Sequence, residues 1–398
     1  MRILHYIPVY APAWQFGGPV QSTSILCETL AALGHQVTVF TTDAGLGEKF
    51  TGAIGRCMVR NGVGVWYFKA SYALGIHSRG LTEAIGRRCT EFDLIHVTGV
   101  WQPTSIAACR AAKRSGVPYV ISPRGALSPY SRRQKLLKKL VYYLLFERRH
   151  AFGAAGIHYT SRMELEECVR LGLPGRTCVI PNAVSLSRWG RDEAAGAQWR
   201  REMDLTPDEF ALINVGRLHH LKGLDLLPAA LAPLAGLKWR MVFIGPPEDQ
   251  TRNELQAAFR RLGLIDRVRF FDVLAPERLV GAYSGADLFL FPSRHEGFGN
   301  VVIEAMACGC PVVLSDQVGA GDHVKDLALA TVLPRDVEHW TTHLEARMRR
   351  GRQRPSSDPA GSETLRARFD PLKMAEAMAA FYTEILAVRS PRPGVSVT

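Results

Sequence analysis

The run Ala286-Asp287-Leu288-Phe289-Leu290-Phe291, closed by Pro292, constrains the fold of this 398-residue chain more than any other stretch. It is short and almost wholly apolar, so it reads as a strand buried inside a sheet. The next segment, Ser293-Arg294-His295-Glu296-Gly297-Phe298-Gly299-Asn300, leads into an apolar helix expected over Val301 to Cys308. Strand, glycine turn and helix are the repeating parts of α/β sheets, and α/β is the class expected here.

The same turn is suited to chemistry. Gly297 and Gly299 flank Phe298, which lets the backbone bend and bring its amides close to a ligand. A helix starting near Asn300 points its positive end to the same place, which makes the turn an anion site. Glu296 stands at the strand's exit, and Glu304 lies four residues after Asn300 on the same helical face. Two carboxylates therefore bracket the turn.

A second strand of this half, Phe210 to Val215, delivers Gly216-Arg217-Leu218-His219-His220-Leu221-Lys222-Gly223 before a helix expected over Leu224 to Leu234. Arg217 offers a planar fork and Lys222 a point charge, a pair that suits the two phosphates of a nucleotide diphosphate. Further strands are expected at Trp239 to Ile244, Val268 to Asp272 and Cys310 to Asp316.

The first half opens with a strand over Ile3 to Val9, a loop containing Gly17-Gly18, a helix through Leu33 and a strand over Gln36 to Thr42. This βαβ opening lacks the Gly-x-Gly-x-x-Gly of dinucleotide binding, which argues against a dehydrogenase. Strands at Asp93 to Val97 and Tyr119 to Ser122, with a helix from Pro103 to Ser115 between them, follow. Ligands bind at the carboxyl ends of strands in such sheets, so His96, Thr98 and Arg124 are candidate site residues. Cys178 to Val184 closes this series, and a polar stretch runs from there to about Thr206.

Taken together, Glu296 and Glu304 around Gly-Phe-Gly, Gly216-Arg217 before Lys222-Gly223, Ile180-Pro181-Asn182 and Ser122-Pro123-Arg124-Gly125 resemble the retaining glycosyltransferases of family 4, in particular those of bacterial surface polysaccharide and exopolysaccharide assembly. The resemblance spans nearly the whole chain and implies the GT-B fold, two Rossmann-like domains facing across a cleft. It places an N-terminal acceptor domain at 1–184, a nucleotide-sugar domain at 185–370, a helix at 371–388 that packs back on the first domain, and a tail at 389–398. In that family the second glutamate, here Glu304, holds the ribose, and the first, here Glu296, contacts the donor sugar. The amides of Gly297, Phe298, Gly299 and Asn300 face sugar and diphosphate, and Gly216 lies at the donor site. Arg217 and Lys222 stabilise the leaving group. Gly17 and Gly18 approach either the donor's phosphates or the acceptor. Many members carry a histidine two residues after His96, where this chain has Thr98.

The implied reaction is transfer of a hexose from a UDP- or GDP-sugar to a saccharide or lipid-linked acceptor. A GT-B epimerase and a binding protein without turnover are the alternative readings. No Asp-x-Asp occurs, so catalysis is expected to need neither metal nor other cofactor. A net charge of +12 calls for an anionic partner. The basic, apolar stretch 131–150 reads as an amphipathic helix for an anionic membrane, whereas no stacking platform or motif supports nucleic acid. Eight scattered cysteines without Cys-x-x-Cys, and no long apolar span, lead to the expectation of a cytoplasmic protein, peripheral on the inner face of the cell membrane.

Overall fold

The structure, a computed structural model, describes residues 1–47, 50, 52–72, 75–100, 102–129, 153–169, 171–173, 175–352 and 359–388. The stretch 131–150 and the tail 389–398 lie outside the described residues. Two compact units emerge, Met1–Ala183 with Pro371–Thr398, and Val184–Asp370.

The first unit is built on eight strands: β1 (Arg2–Tyr6), β2 (Gln36–Thr42), β3 (Cys57–Arg60), β4 (Val63–Phe68), β5 (Leu94–Thr98), β6 (Tyr119–Ser122), β7 (Gly156–Tyr159) and β8 (Arg176–Val179). They lie in the order β3-β4-β2-β1-β5-β6-β7-β8, and only the outermost pair, β3 with β4, is antiparallel. Strand residues alternate between two apolar layers, as a pleat dictates. Leu4, Tyr6, Ile95, Val97 and Ile121 pack with Leu81, Ile85, Ala108 and Ala112 of helices Arg79–Arg88 and Pro103–Ser115. Ile3, Leu94 and Val120 on the opposite face pack with Leu26 and Leu30 of helix Gly18–Ala32, and with Met374, Met378, Phe381 and Ile385 of the C-terminal helix Pro371–Ala387. Gly156 permits that last contact, since a Cβ there would stand 2.7 Å from both Phe381 and Ile385.

The second unit has six parallel strands: β9 (Phe210–Val215), β10 (Trp239–Ile244), β11 (Val268–Phe271), β12 (Leu288–Phe291), β13 (Val312–Ser315) and β14 (Ala330–Leu333). Their order is β11-β10-β9-β12-β13-β14. The strand expected over 286–291 is thus the fourth of six, fully buried on both faces. Each sheet reverses its winding once, beside β1 and β5 in the first and beside β9 and β12 in the second. A crevice opens at such reversals, outside the carboxyl ends of the strands.

Several expected bounds shift. The first strand stops at Tyr6, ahead of Pro8. The helix expected over Leu224 to Leu234 is an α-helix only at Leu226–Leu231, and the turn containing Pro233 completes it as 3-10. The polar stretch before Thr206 contains helix Glu193–Glu202, capped by Asp192, whose side chain accepts from the Ala195 amide. Helix Pro359–Arg368 starts at a proline, in a stretch that also carries Gly361 and Ser362.

Candidate functional site

The winding reversal of the second sheet brings the two charged loops together. β9 ends in Gly216–Gly223 and its neighbour β12 ends in Ser293–Asn300. Inside the sheet the Asn214 side chain of β9 donates through Nδ2 to the Leu290 carbonyl of β12 at 2.7 Å. Outside it, the Arg294 amide donates to Leu221 O at 2.8 Å, which fixes one loop against the other. Gly223, at φ 60°, packs on the Pro292 carbonyl, where a Cβ would collide. Arg335 donates to both the Gly223 and Pro292 carbonyls and pairs with Asp225 at 2.8 Å.

Lys222 and Glu296 form an ion pair in this arrangement, and both are largely shielded from solvent. The Lys222 ammonium also lies 5.2 Å from the centre of the Phe291 ring at the end of β12. Arg217 is more open, and its Nη1 is 2.7 Å from both carboxylate oxygens of Glu248, just past β10. Gly216 (φ 145°) receives the adjoining loop so closely that a Cβ on Gly245 would strike its carbonyl.

The glycine turn is held from the β13 side. The Glu296 amide donates to Gln317 O, and Gly319 and Ala320 donate back to the Glu296 and Phe298 carbonyls. Gly299 (φ 95°) precedes helix Asn300–Ala307, whose start lacks a side-chain cap. Phe298 differs from the other donor-side candidates: its side chain is buried against His323 and Phe369, so only its backbone is available to a ligand. Glu304 is 6% exposed. Burial pushes its carboxyl up to about 7, while the Arg188 charge and the Tyr283 hydroxyl pull the other way.

Four polar residues not assigned roles from the sequence belong to this region: His219, His220, Glu248 and Asp249. Among the described residues, His219, His220 and Asp249 bring three ligand atoms within 4.8 Å of one another, a set that could hold a cation. Their hydrogen bonds suit a loop clamp better. The Leu221 amide donates to His219 Nδ1 at 3.2 Å, so a neutral His219 keeps its proton on Nε2, the atom facing Asp249 at 3.7 Å. Asp249 also accepts from the His220 and Thr251 amides, which hold its carboxyl low and tie the β9 and β10 exits together. The signal for this group was the acidic pair directly after Gly245-Pro246-Pro247 at a neighbouring strand exit.

The candidates of the first unit sit differently. His96 is fully buried mid-strand, with both ring nitrogens engaged. The direction of each bond follows from the last acceptor. His158 Nε2 lies 2.9 Å from the Ile180 carbonyl, which can only accept, so His158 Nδ1 must accept from the Ser122 hydroxyl at 2.7 Å. Ser122 Oγ then accepts from His96 Nε2 at 2.6 Å, and His96 Nδ1 accepts from the Tyr382 hydroxyl at 2.5 Å. The chain Tyr382, His96, Ser122, His158, Ile180 is complete with every member neutral. Burial, with Arg124 nearby, holds the imidazole of His158 down at about 3 and that of His96 well below its usual range.

Arg124, at φ 57°, donates through Nη1 to Asn182. The next amide, Gly125, donates to Glu164 at 2.5 Å, and Glu164 also accepts from the Thr160 amide and hydroxyl. The Ser-Pro-Arg-Gly turn is thereby a fixed corner beyond β6. Thr98 is buried at the end of β5, its hydroxyl without a hydrogen-bond partner among the described residues. Gly17 (φ 77°) precedes helix Gly18–Ala32, and a Cβ on it would meet nothing within 4 Å. The structure therefore places Gly17 and Gly18 at an open helix start, and His96, Thr98 and Arg124 largely within packed interior.

Comparison with known proteins bears on both units. The family described as glycosyl transferases group 1 matches residues 197–352, and the glycosyl transferase 4-like domain matches residues 17–183. The chain belongs to the family 4 glycosyltransferases. A D-inositol 3-phosphate glycosyltransferase of Actinosynnema mirum is 37% identical to this family 4 chain over 162 residues, 38% of each. One from Mycobacterium sp. (strain KMS) is 34% identical over 197 residues, 48% of this chain and 44% of the relative. The chain thus spans well under half of the length of these curated relatives. Among solved structures, Anabaena Alr3699/HepE in complex with UDP superposes with a TM-score of 0.76 at 21% identity, over 96% of this chain and all (100%) of that one. Sucrose-phosphate synthase from Thermosynechococcus elongatus gives 0.73 at 21% identity, over 98% and 100%. These structural likenesses identify the fold as GT-B. No described helix is long and apolar enough to cross a membrane.

Proposed function

We propose that this family 4 member transfers a hexose from a nucleotide-diphosphate sugar to a saccharide or lipid-linked acceptor, with retention of configuration and without a metal ion. The observation that carries the reading is the convergence of Arg217, Lys222 and Glu296 at the β9/β12 reversal. Each cation is held by a carboxylate in the free chain, so a diphosphate arriving there exchanges one anionic partner for another at little desolvation cost. As the bond between sugar and β-phosphate breaks, charge builds on the leaving oxygen, and preplaced cations stabilise that charge by several kcal/mol, roughly. Glu296, released from Lys222, turns to the sugar hydroxyls. The amides of Gly297 to Asn300 face the diphosphate, and Glu304 takes the ribose.

In this reading Gly17 and Gly18 border the acceptor or the donor's phosphates, and the corner around Arg124 shapes the acceptor side through its backbone. The setting is bacterial polysaccharide or glycolipid synthesis at the cytoplasmic face of the cell membrane. The solved Anabaena neighbour is in complex with UDP and, separately, with UDP-glucose, so a UDP-sugar is the first donor to test and a GDP-sugar the second. The test is a panel of UDP- and GDP-sugars assayed for hydrolysis and for transfer. Turnover of at least one that is lost in Lys222→Ala supports the reading, and no turnover of any with unimpaired folding counts against it.

A further inference from the structure

Arg335 follows β14 in the chain, yet its side chain works at the exits of β9 and β12. In the sheet β13 lies between β12 and β14, so the arginine reaches across one strand to the two charged loops. Its mount is fixed on both sides. Pro334 ends β14, and its carbonyl accepts from the Trp340 indole at 3.1 Å. Asp336 caps helix Val337–Arg349 by accepting from the Glu338 and His339 amides.

The Arg335 guanidinium donates through Nη2 to the Gly223 carbonyl at 3.2 Å and to Asp225 at 2.8 Å, and through Nε to the Pro292 carbonyl at 3.3 Å. Nε and Nη2 belong to one planar group, so the two carbonyls are held at a set separation. One stands at the end of the loop carrying Lys222, the other at the start of the loop carrying Glu296. Asp225 adds a second tie between the same loops, because its carboxylate also takes the Arg294 guanidinium at 2.6 Å. The Arg294 amide in turn donates to Leu221 O at 2.8 Å. The peptide carbonyls on both sides of Lys222 are thus anchored, that of Leu221 by Arg294 and that of Gly223 by Arg335.

We propose that Arg335 is a positioning residue for the leaving-group cation: it sets the spacing of the two donor loops and, through that spacing, the place of the Lys222 ammonium. The inference rests on the role proposed above for Lys222. A preplaced charge stabilises a developing one only while it is held in position, and a displacement of about 1 Å can lower a rate roughly 100-fold. When a diphosphate draws Lys222 away from Glu296, the ion pair between the loops is lost, whereas the bonds from Arg335 to backbone carbonyls remain. The loops therefore keep their spacing when the site is loaded.

A double-mutant cycle tests this. Turnover of the best-used sugar of the donor panel, UDP-glucose first, is compared in the full wild-type chain, Arg335→Gln, Lys222→Ala and the double variant, with the thermal unfolding midpoint of each. Arg335→Gln is expected to lower kcat about 10- to 100-fold, while the donor KM changes by less than about threefold. In the Lys222→Ala background the same exchange lowers kcat by no more than about twofold, because the group it positions is gone. Arg335→Lys keeps the charge without the planar fork and falls between wild type and Arg335→Gln; it carries the cycle if the glutamine variant folds poorly. Equal losses in the two backgrounds, the result of a merely structural role, overturn the proposal and leave the reading of Lys222 standing, as does undiminished turnover by Arg335→Gln. Undiminished turnover by Lys222→Ala, or none by the wild-type chain, fails the reading of the site and this inference with it.

Discussion

Along β5, β6 and β7 of the first unit, His96, Ser122 and His158 turn inward and satisfy one another, whereas Arg217, Lys222 and Glu296 leave the ends of β9 and β12 as ion pairs within reach of solvent. The difference is one of register. A polar group within a strand is enclosed by the helices on that face, and a buried polar group must find a partner within the protein. One placed past the end is left beside the crevice, where its partner can be exchanged for a ligand. The first group therefore serves stability, and the second is free to serve chemistry.

The sharpest way to break this comparison is to remove the cations. Lys222→Ala or Arg217→Ala is expected to lower turnover by about 100- to 1000-fold, the usual loss when one preplaced transition-state donor is removed, with no change in the unfolding midpoint. Undiminished transfer by both variants would remove the second half of the contrast. The converse substitution, His96→Ala, strands the Tyr382 and Ser122 hydroxyls and leaves a void. Denaturant unfolding should then show a loss of about 3 kcal/mol, with nucleotide-diphosphate affinity, followed by calorimetry, unchanged. A drop in affinity without lost stability would place His96 at the ligand.

Glu304 belongs to both classes at once, buried like His96 yet proposed to bind. Its carboxyl is raised from 4.5 to about 7, so the folded chain holds that proton more tightly than the unfolded chain does between those values. Stability from this group therefore falls as pH rises from about 4.5 to 7 and is level above. Glu304→Gln should raise stability at pH 8 by up to about 3 kcal/mol and by little at pH 4.5, while weakening nucleotide-diphosphate binding. An equal shift at both pH values would mean that burial of the charge is not the cause. The smallest expected effect is that of EDTA, which should leave the transfer rate nearly unchanged. Strict dependence on a divalent ion would direct attention to His219, His220 and Asp249.

Continuous apolar runs were legible as sequence. β2, β6, β9 and β10 and helix Pro103–Ser115 have the bounds read from the residues alone, β6, β9 and β10 as largely apolar runs and β2 and the helix through the punctuating Gly34, Pro103 and Gly116. β3 and helix Glu193–Glu202 were not, for opposite reasons. β3 is exposed on three of its four residues and shows no burial pattern to detect. The helix buries Gly196, Trp199 and Arg200 rather than an apolar stripe: a Cβ on Gly196 would stand 2.8 Å from the backbone of Ser284, a close helix contact that hydrophobic periodicity does not register. At the site, residue types and spacing located the cations and carboxylates, but not that Phe298 faces the core or that Glu248 holds Arg217. Both depend on neighbours brought in from distant strand exits.

The hydrogen bond from Tyr382 to His96 has a consequence for synthesis. Its partners are 286 residues apart, and the strands of the first sheet are all complete by Val179. On the ribosome, that sheet emerges with one apolar face covered only in part, by helix Gly18–Ala32, and with His96 lacking its Tyr382 partner, and it stays so while the whole second unit is made. Only when helix Pro371–Ala387 arrives is the first unit closed. The order of events is thus written into the topology: the unit begun first is finished last, and a chain cut short before Pro371 would expose the same face for good.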